Sequence, residues 1–128
     1  MYTVKENSTH EENRQAAMNA CPVSYTLERI GGRWKAQILF HLSQRAMRYA
    51  ELKRAVGSVT EKMLIQQLKE LENDKLVIRD VKPVVPPHVT YSLTQAGKEL
   101  APVMYAMAQW GLKYREDKEY NEMCTLGV

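Results

Sequence analysis

The hydrophobic period of the chain switches at Leu76, and that switch limits the folds open to it. Upstream, Leu64, Leu68 and Leu71 recur at the three-to-four-residue spacing of an amphipathic helix. Downstream, Val77, Arg79 and Val81 alternate with Ile78, Asp80 and Lys82 in the two-residue period of a strand. Pro83 and Pro86-Pro87 interrupt the run, and Val89, Tyr91 and Leu93 then alternate with Thr90 and Ser92. Proline cannot donate to a strand ladder, so the two runs are predicted to form a two-stranded hairpin with a stiff tip. Beyond it Thr94 caps a final helix in which Leu100, Val103, Met104, Met107, Trp110 and Tyr114 form an apolar stripe, with Pro102 marking a kink or an offset start.

Helices are predicted ahead of the switch. A short one lies between Thr9 and about Ala20, where Thr9 and Glu12 have capping-box spacing. Pro22 suits the first position of the next, which runs to Ile30, where Gly31-Gly32 stops it. Trp34, Ile38, Leu39 and Leu42 share one face of the helix that follows. Tyr49, Leu52 and Val56 stripe a shorter one that Gly57 is placed to end with a left-handed cap. Thr60 is the N-cap of the Leu64/Leu68/Leu71 helix, which Asn73-Asp74 ends. The chain thus divides into an extension (1–20), one domain (21–114) and a polar tail (115–128); at 128 residues and 45% apolar it can bury one core.

Several classes are excluded at this point. Two cysteines are too few for a disulfide framework, and five Pro and six Gly too few for a low-complexity chain. No stretch approaches the roughly 20 apolar residues of a membrane span, which places the chain in the cytoplasm with no membrane partner. His10, His41 and His88 have no metal-ligand spacing with Cys21 or Cys124, so no metal and no cofactor is expected. Phosphate loops, triads and paired carboxylates are missing, and a thiol enzyme built on Cys21 would lack a visible base; the chain reads as a non-enzyme.

Charge is unevenly spread. Net charge is +3, yet residues 29–82 hold twelve basic and six acidic side chains while both ends are acidic. Three helices, a two-stranded ribbon and a terminal helix follow the order of a winged helix-turn-helix, mainly α with a small β wing. A helix about 10–12 Å across fits a major groove while the ribbon reaches an adjacent backbone or minor groove. Opposite the three leucines, the helix begun at Thr60 presents Lys62, Gln66, Lys69 and Asn73, flanked by Ile65 and Glu70. Gln can pair with adenine, Lys can donate to guanine or phosphate, and Ile65 can touch a thymine methyl. Arg48 and Tyr49 open the preceding helix, where free N–H groups and a cation suit a phosphate. Arg79, Lys82 and His88 lie on the ribbon, available to a second backbone segment. An ordinary solvated helix face, or a protein-interaction module docking an acidic partner, accounts for the same composition.

Specific motifs narrow the choice. Cys21-Pro22-Val23, Ile30-Gly31-Gly32-Arg33-Trp34, Arg48-Tyr49 with Glu51-Leu52, Leu68-Lys69-Glu70-Leu71-Glu72, Val85-Pro86-Pro87, Tyr91-Ser92-Leu93-Thr94 and Trp110-Gly111 occur together and in order. In these motifs the chain resembles the HxlR-type winged-helix transcriptional regulators of the MarR-like superfamily, over about Cys21 to Gly111. The resemblance implies a homodimer held by the first and last helices, with Leu100, Val103, Met104, Met107, Trp110 and Tyr114 contributing the interface. It implies binding to a partly palindromic promoter operator in double-stranded DNA, with repression the expected effect. It further implies sensing of an oxidant or small electrophile through Cys21, at a helix start that favours thiolate, against the alternative of an inert cysteine buried in the dimer interface; Cys124, in the tail outside the match, is within a flexible chain's reach to resolve an oxidised Cys21. The chain departs from the family pattern at Glu61, Ile65, Lys75, Lys82 and Thr90, where proline, a small hydroxyl residue, glycine, an aromatic and glutamate are frequent.

Overall fold

A computed structural model of the chain describes residues 11–13 and 20–115. Of the short helix expected between Thr9 and Ala20, residues 11–13 are helical and 14–19 lie outside the described residues. The tail from residue 116 lies outside them too, and Cys124 with it.

Six helices and three strands follow in the described part, with α1 at Pro22–Ile30, α2 at Lys35–Gln44, β1 at Met47–Arg48, α3 at Tyr49–Val56 and α4 at Glu61–Asn73. The wing strands β2 (Val77–Lys82) and β3 (His88–Leu93) come next, then α5 (Gln95–Glu99) and α6 (Ala101–Tyr114). This is the mainly helical winged helix-turn-helix expected, with one addition. The sheet has three antiparallel strands in the order β1-β3-β2, because Met47 pairs with Tyr91 and Arg48 with Thr90. Two residues carry no readable alternation, so β1 leaves no signal in the sequence.

Local chemistry explains the boundaries. Pro22 sits in the first turn of α1 behind Cys21 as N-cap, and the Gly31 N–H donates to the Leu27 carbonyl (2.7 Å) to close it. Gly57 ends α3 at φ 90° and ψ −106°; φ is positive as expected, but ψ lies outside the left-handed helical region, in space only glycine enters freely. Thr60 Oγ1 accepts from the Met63 N–H (3.2 Å) to cap α4, and Thr94 Oγ1 accepts from the Gly97 N–H (3.1 Å) to cap α5. The single last helix of the sequence reading is two: Leu100 separates α5 from α6, and Pro102 stands in the first turn of α6, the offset start.

Helix α2 is the centre of the packing, in contact with α1, α3, α4, α6 and β3. Ile38, Leu39, Leu52, Leu64, Leu68 and Leu71 are at most 1% exposed, and each such side chain stabilises by roughly 2 kcal/mol. Met104 is buried in the same core and Leu100 packs partly against it.

Candidate nucleic-acid interface

Burial of Leu64, Leu68 and Leu71 fixes the roll of α4, and the residues opposite them are left uncovered. Lys62, Ile65, Gln66 and Lys69 are exposed and line one shallow surface groove with Glu70. Ile65 is 43% exposed, so the face is cationic and hydrogen-bonding with one apolar point. Thr60 is exposed at the head of the helix, its hydroxyl engaged in the cap.

The roll of α4 is also held by a pair that periodicity did not single out. Lys35 Nζ donates to Glu70 Oε1 at 2.9 Å, and Gln67 Nε2 reaches the other carboxylate oxygen at 3.4 Å. Lys35 is buried, joining α2 to α4 beneath the exposed face. A signal existed: Lys35 stands three, four and seven residues before Ile38, Leu39 and Leu42, on their buried stripe.

The wing cations separate into two sets. Arg79 is in register with Tyr91 and Val81 with Val89, so these side chains share the sheet face turned toward α4. Arg79 and Lys69 accordingly line one cleft of about 430 Å³ whose apolar wall includes Ile65, Leu68, Val89 and Tyr91. Lys82 and His88 are paired with each other on the opposite face, as are Asp80 and Thr90, and Arg48 joins that face through its pairing with Thr90. Arg79 therefore belongs with α4, whereas Lys82 and His88 belong to the wing's far side.

At the start of α3, Arg48 is exposed and its backbone N–H donates to Glu51 Oε1 (3.0 Å), while Arg45 Nη1 donates to Oε2 (2.9 Å). These bonds, the Arg48 amide first, hold the Glu51 carboxyl below the usual range. Tyr49 begins the Tyr49/Leu52/Val56 stripe and packs partly against the core with its hydroxyl covered, and it lines the same cleft as Lys69 and Arg79. Desolvation, with Glu61 and Tyr91 nearby, raises its phenol pKa and keeps it neutral.

Two other sets complete the picture. Cys21 is exposed at the N-cap of α1, where its side chain makes no capping hydrogen bond, and the neighbouring Ser24 amide, Ser24 hydroxyl and Val23 amide lower its thiol pKa. On α6, Val103, Met107, Trp110 and Tyr114 form an exposed stripe, and on α1 Val23, Tyr25 and Leu27 are exposed as well. Met104, expected in the same interface, is 3% exposed and belongs to its own core, and Leu100, at the cap of α6, is half-buried against that core. His41 is half-buried, and burial lowers its pKa toward the neutral ring. Among the described residues no group of three His, Cys, Asp or Glu side chains is placed to hold a metal, and no helix is long and apolar enough to cross a membrane.

A capped helix with an uncovered basic face, preceded by a shorter helix and followed by a hairpin, defines a winged helix-turn-helix protein. Residues 29–119 match the HxlR-like helix-turn-helix family, and the chain belongs to it. It is 45% identical over 96 residues to the uncharacterized HTH-type transcriptional regulator YdeP of Bacillus subtilis (strain 168), a match spanning 75% of each chain. Among solved structures it resembles the redox regulator HypR in its oxidized form, with 44% identity and a TM-score of 0.72 over 75% of this chain and 99% of that one. It also resembles the reduced form of the transcriptional regulator YodB from B. subtilis, with 33% identity and a TM-score of 0.65 over 75% of this chain and 95% of that one. The protein is a DNA-binding transcriptional regulator of the helix-turn-helix type, not an enzyme.

Proposed function

We propose that the chain acts as a homodimer that reads a promoter operator and represses transcription from it. The observation that carries this is the uncovered Lys62, Ile65, Gln66 and Lys69 face of α4, which its own fold leaves free to enter a major groove. Gln66 and Ile65 read bases and Lys62 either a guanine or a phosphate, while Lys69 and Arg79 grip the backbone that passes between α4 and the wing. Arg48, Lys82 and His88 hold a neighbouring segment. Salt-dependent fluorescence anisotropy on a duplex selected from a random pool tests the reading. Gln66→Ala is expected to change base preference by about 1–3 kcal/mol at one position. Lys69→Ala or Arg79→Ala is expected to weaken binding to every sequence and to lower the salt slope by about 0.9. Equal base preference in wild type and Gln66→Ala would refute the placement of α4.

The exposed stripe of α6, with the exposed apolar side chains of α1, supports self-association, since exposed apolar surface of this kind marks an interface. Cys21 is the trigger through which an oxidant or electrophile changes DNA affinity; its place at a helix start and its lowered pKa favour the nucleophilic thiolate. The likeness to HypR, a redox regulator, supports the same reading. Mass spectrometry after mild quinone or peroxide treatment is expected to find Cys21 modified together with loss of operator binding; a Cys21 left intact while operator binding is lost would refute it.

A further inference from the structure

The first residue of α4 carries a charge of the wrong sign for a helix that meets DNA. Glu61 is exposed there. Glu51 and Glu70 each hold a cation, whereas Glu61 makes no hydrogen bond or ion pair among the described residues. Its own helix offers no neutralising neighbour: three and four residues on stand Leu64 and Ile65, and Lys62, next in sequence, lies about 100° further round.

Its position is fixed from two sides. Ile65, one turn on, shares its flank of α4, and the Tyr49 phenol, which lines the cleft with Ile65, Lys69 and Arg79, senses the Glu61 charge. Lys69 lies two turns further along the helix, about 12 Å away along its axis. A recognition helix contacts base edges with its N-terminal residues. Glu61 therefore stands at the end of α4 that approaches the bases, and Lys69 further out toward the backbone.

An ionised carboxylate is an acceptor only. In the major groove cytosine offers the N4 amino donor alone, adenine sets its N6 donor beside the N7 acceptor, and guanine and thymine offer acceptors without a donor. Facing guanine or thymine, the Glu61 carboxylate would lose water and gain no partner, within the field of phosphates of its own sign.

We propose that Glu61 is a specificity-determining residue, which accepts a hydrogen bond from the N4 amino group of one cytosine and rejects duplexes that present no donor at that position. The proposal rests on the DNA reading of α4, and much of the selectivity it describes is repulsive. An acid in the first turn also complements the helix dipole. The two roles differ in what they move: the dipole acts on stability and on affinity for every sequence alike, whereas base reading acts on preference at one position.

The full chain selects a duplex from a random pool, and each base pair of one half-site is then replaced in turn while fluorescence anisotropy follows affinity. The wild type is expected to favour cytosine at one position by about tenfold. Glu61→Ala is expected to lose that preference, to keep the one set by Gln66, and to bind unrelated duplexes more tightly because a like charge has gone. Glu61→Gln is expected to admit adenine there, with which glutamine pairs. N4-methylcytosine at that position, which sets a methyl group in place of the major-groove proton, should weaken the wild type about tenfold and leave Glu61→Ala unaffected. A Glu61→Ala protein with the wild-type preference at every position overturns the assignment, whatever its melting temperature, and leaves Glu61 to the helix dipole alone. A wild type with no sequence preference overturns it together with the reading of α4.

Discussion

Lys35 and Glu70 are unequal partners: the lysine side chain is 11% exposed and the carboxylate 41%. Removing the acid strands a buried ammonium, whereas removing the base leaves a carboxylate that water can reach, so the two halves of the pair should differ in cost. Urea denaturation is expected to show Glu70→Ala destabilised by about 2 kcal/mol and Lys35→Met by less than about 1 kcal/mol. The opposite ranking would mean that the ion pair does not set the roll of α4. Cys21 is open to a separate measurement. Its folded pKa is lowered, chiefly by the Ser24 amide, so its thiolate persists to lower pH than an ordinary cysteine's. The rate of alkylation by iodoacetamide should therefore rise with pH to a midpoint below the usual thiol value, and Ser24→Ala should move that midpoint upward by removing the hydroxyl's share. Identical midpoints in the two proteins would contradict the role given to Ser24.

The end of α4 shows why a departure from the family pattern matters. Lys75 takes φ 60°, its N–H donates to the Glu72 carbonyl (2.9 Å), and the Leu76 N–H reaches back to the Leu71 carbonyl (3.0 Å). This is the paired-bond stop in which glycine is favoured, sealed by contact between buried Leu71 and Leu76. A lysine there carries a conformational cost, and Lys75→Gly is expected to stabilise the protein by about 1 kcal/mol in the same denaturation experiment. Periodicity made α4, its cap at Thr60 and its uncovered face readable, because burial of every third or fourth side chain leaves a regular trace. The strand period put Arg79 and Lys82 on opposite faces, but which face turns toward α4 depends on the sheet's packing and has no local trace. Met104 departs from the expected interface because it lies on a stripe that serves both an interior and a surface, and the sequence does not say where the core ends. Strand β1 comes from tertiary pairing with no local pattern of its own, whereas Lys35 stands on the buried stripe of α2 and only its partner, Glu70, is hidden from a local pattern.

Two copies of this fold are needed for the account as a whole. Val103, Met107, Trp110 and Tyr114 are spaced to form one continuous ridge on α6, and Trp110 is 68% exposed on the chain alone. Aromatic anchors dominate interfaces, so Trp110→Asp is expected to weaken self-association by at least about thirtyfold in sedimentation experiments, and to weaken operator binding with it. Paired copies would set two α4 helices into major grooves about 34 Å apart on one side of the duplex, with each wing tip in a flanking minor groove. Dimethyl sulfate probing of the selected duplex tests this most directly, because it attacks guanine N7 in the major groove and adenine N3 in the minor groove. Two patches of guanine N7 protection about one helical turn apart, flanked by adenine N3 protection, are expected; guanine N7 reactive throughout a saturated complex would contradict the placement of α4.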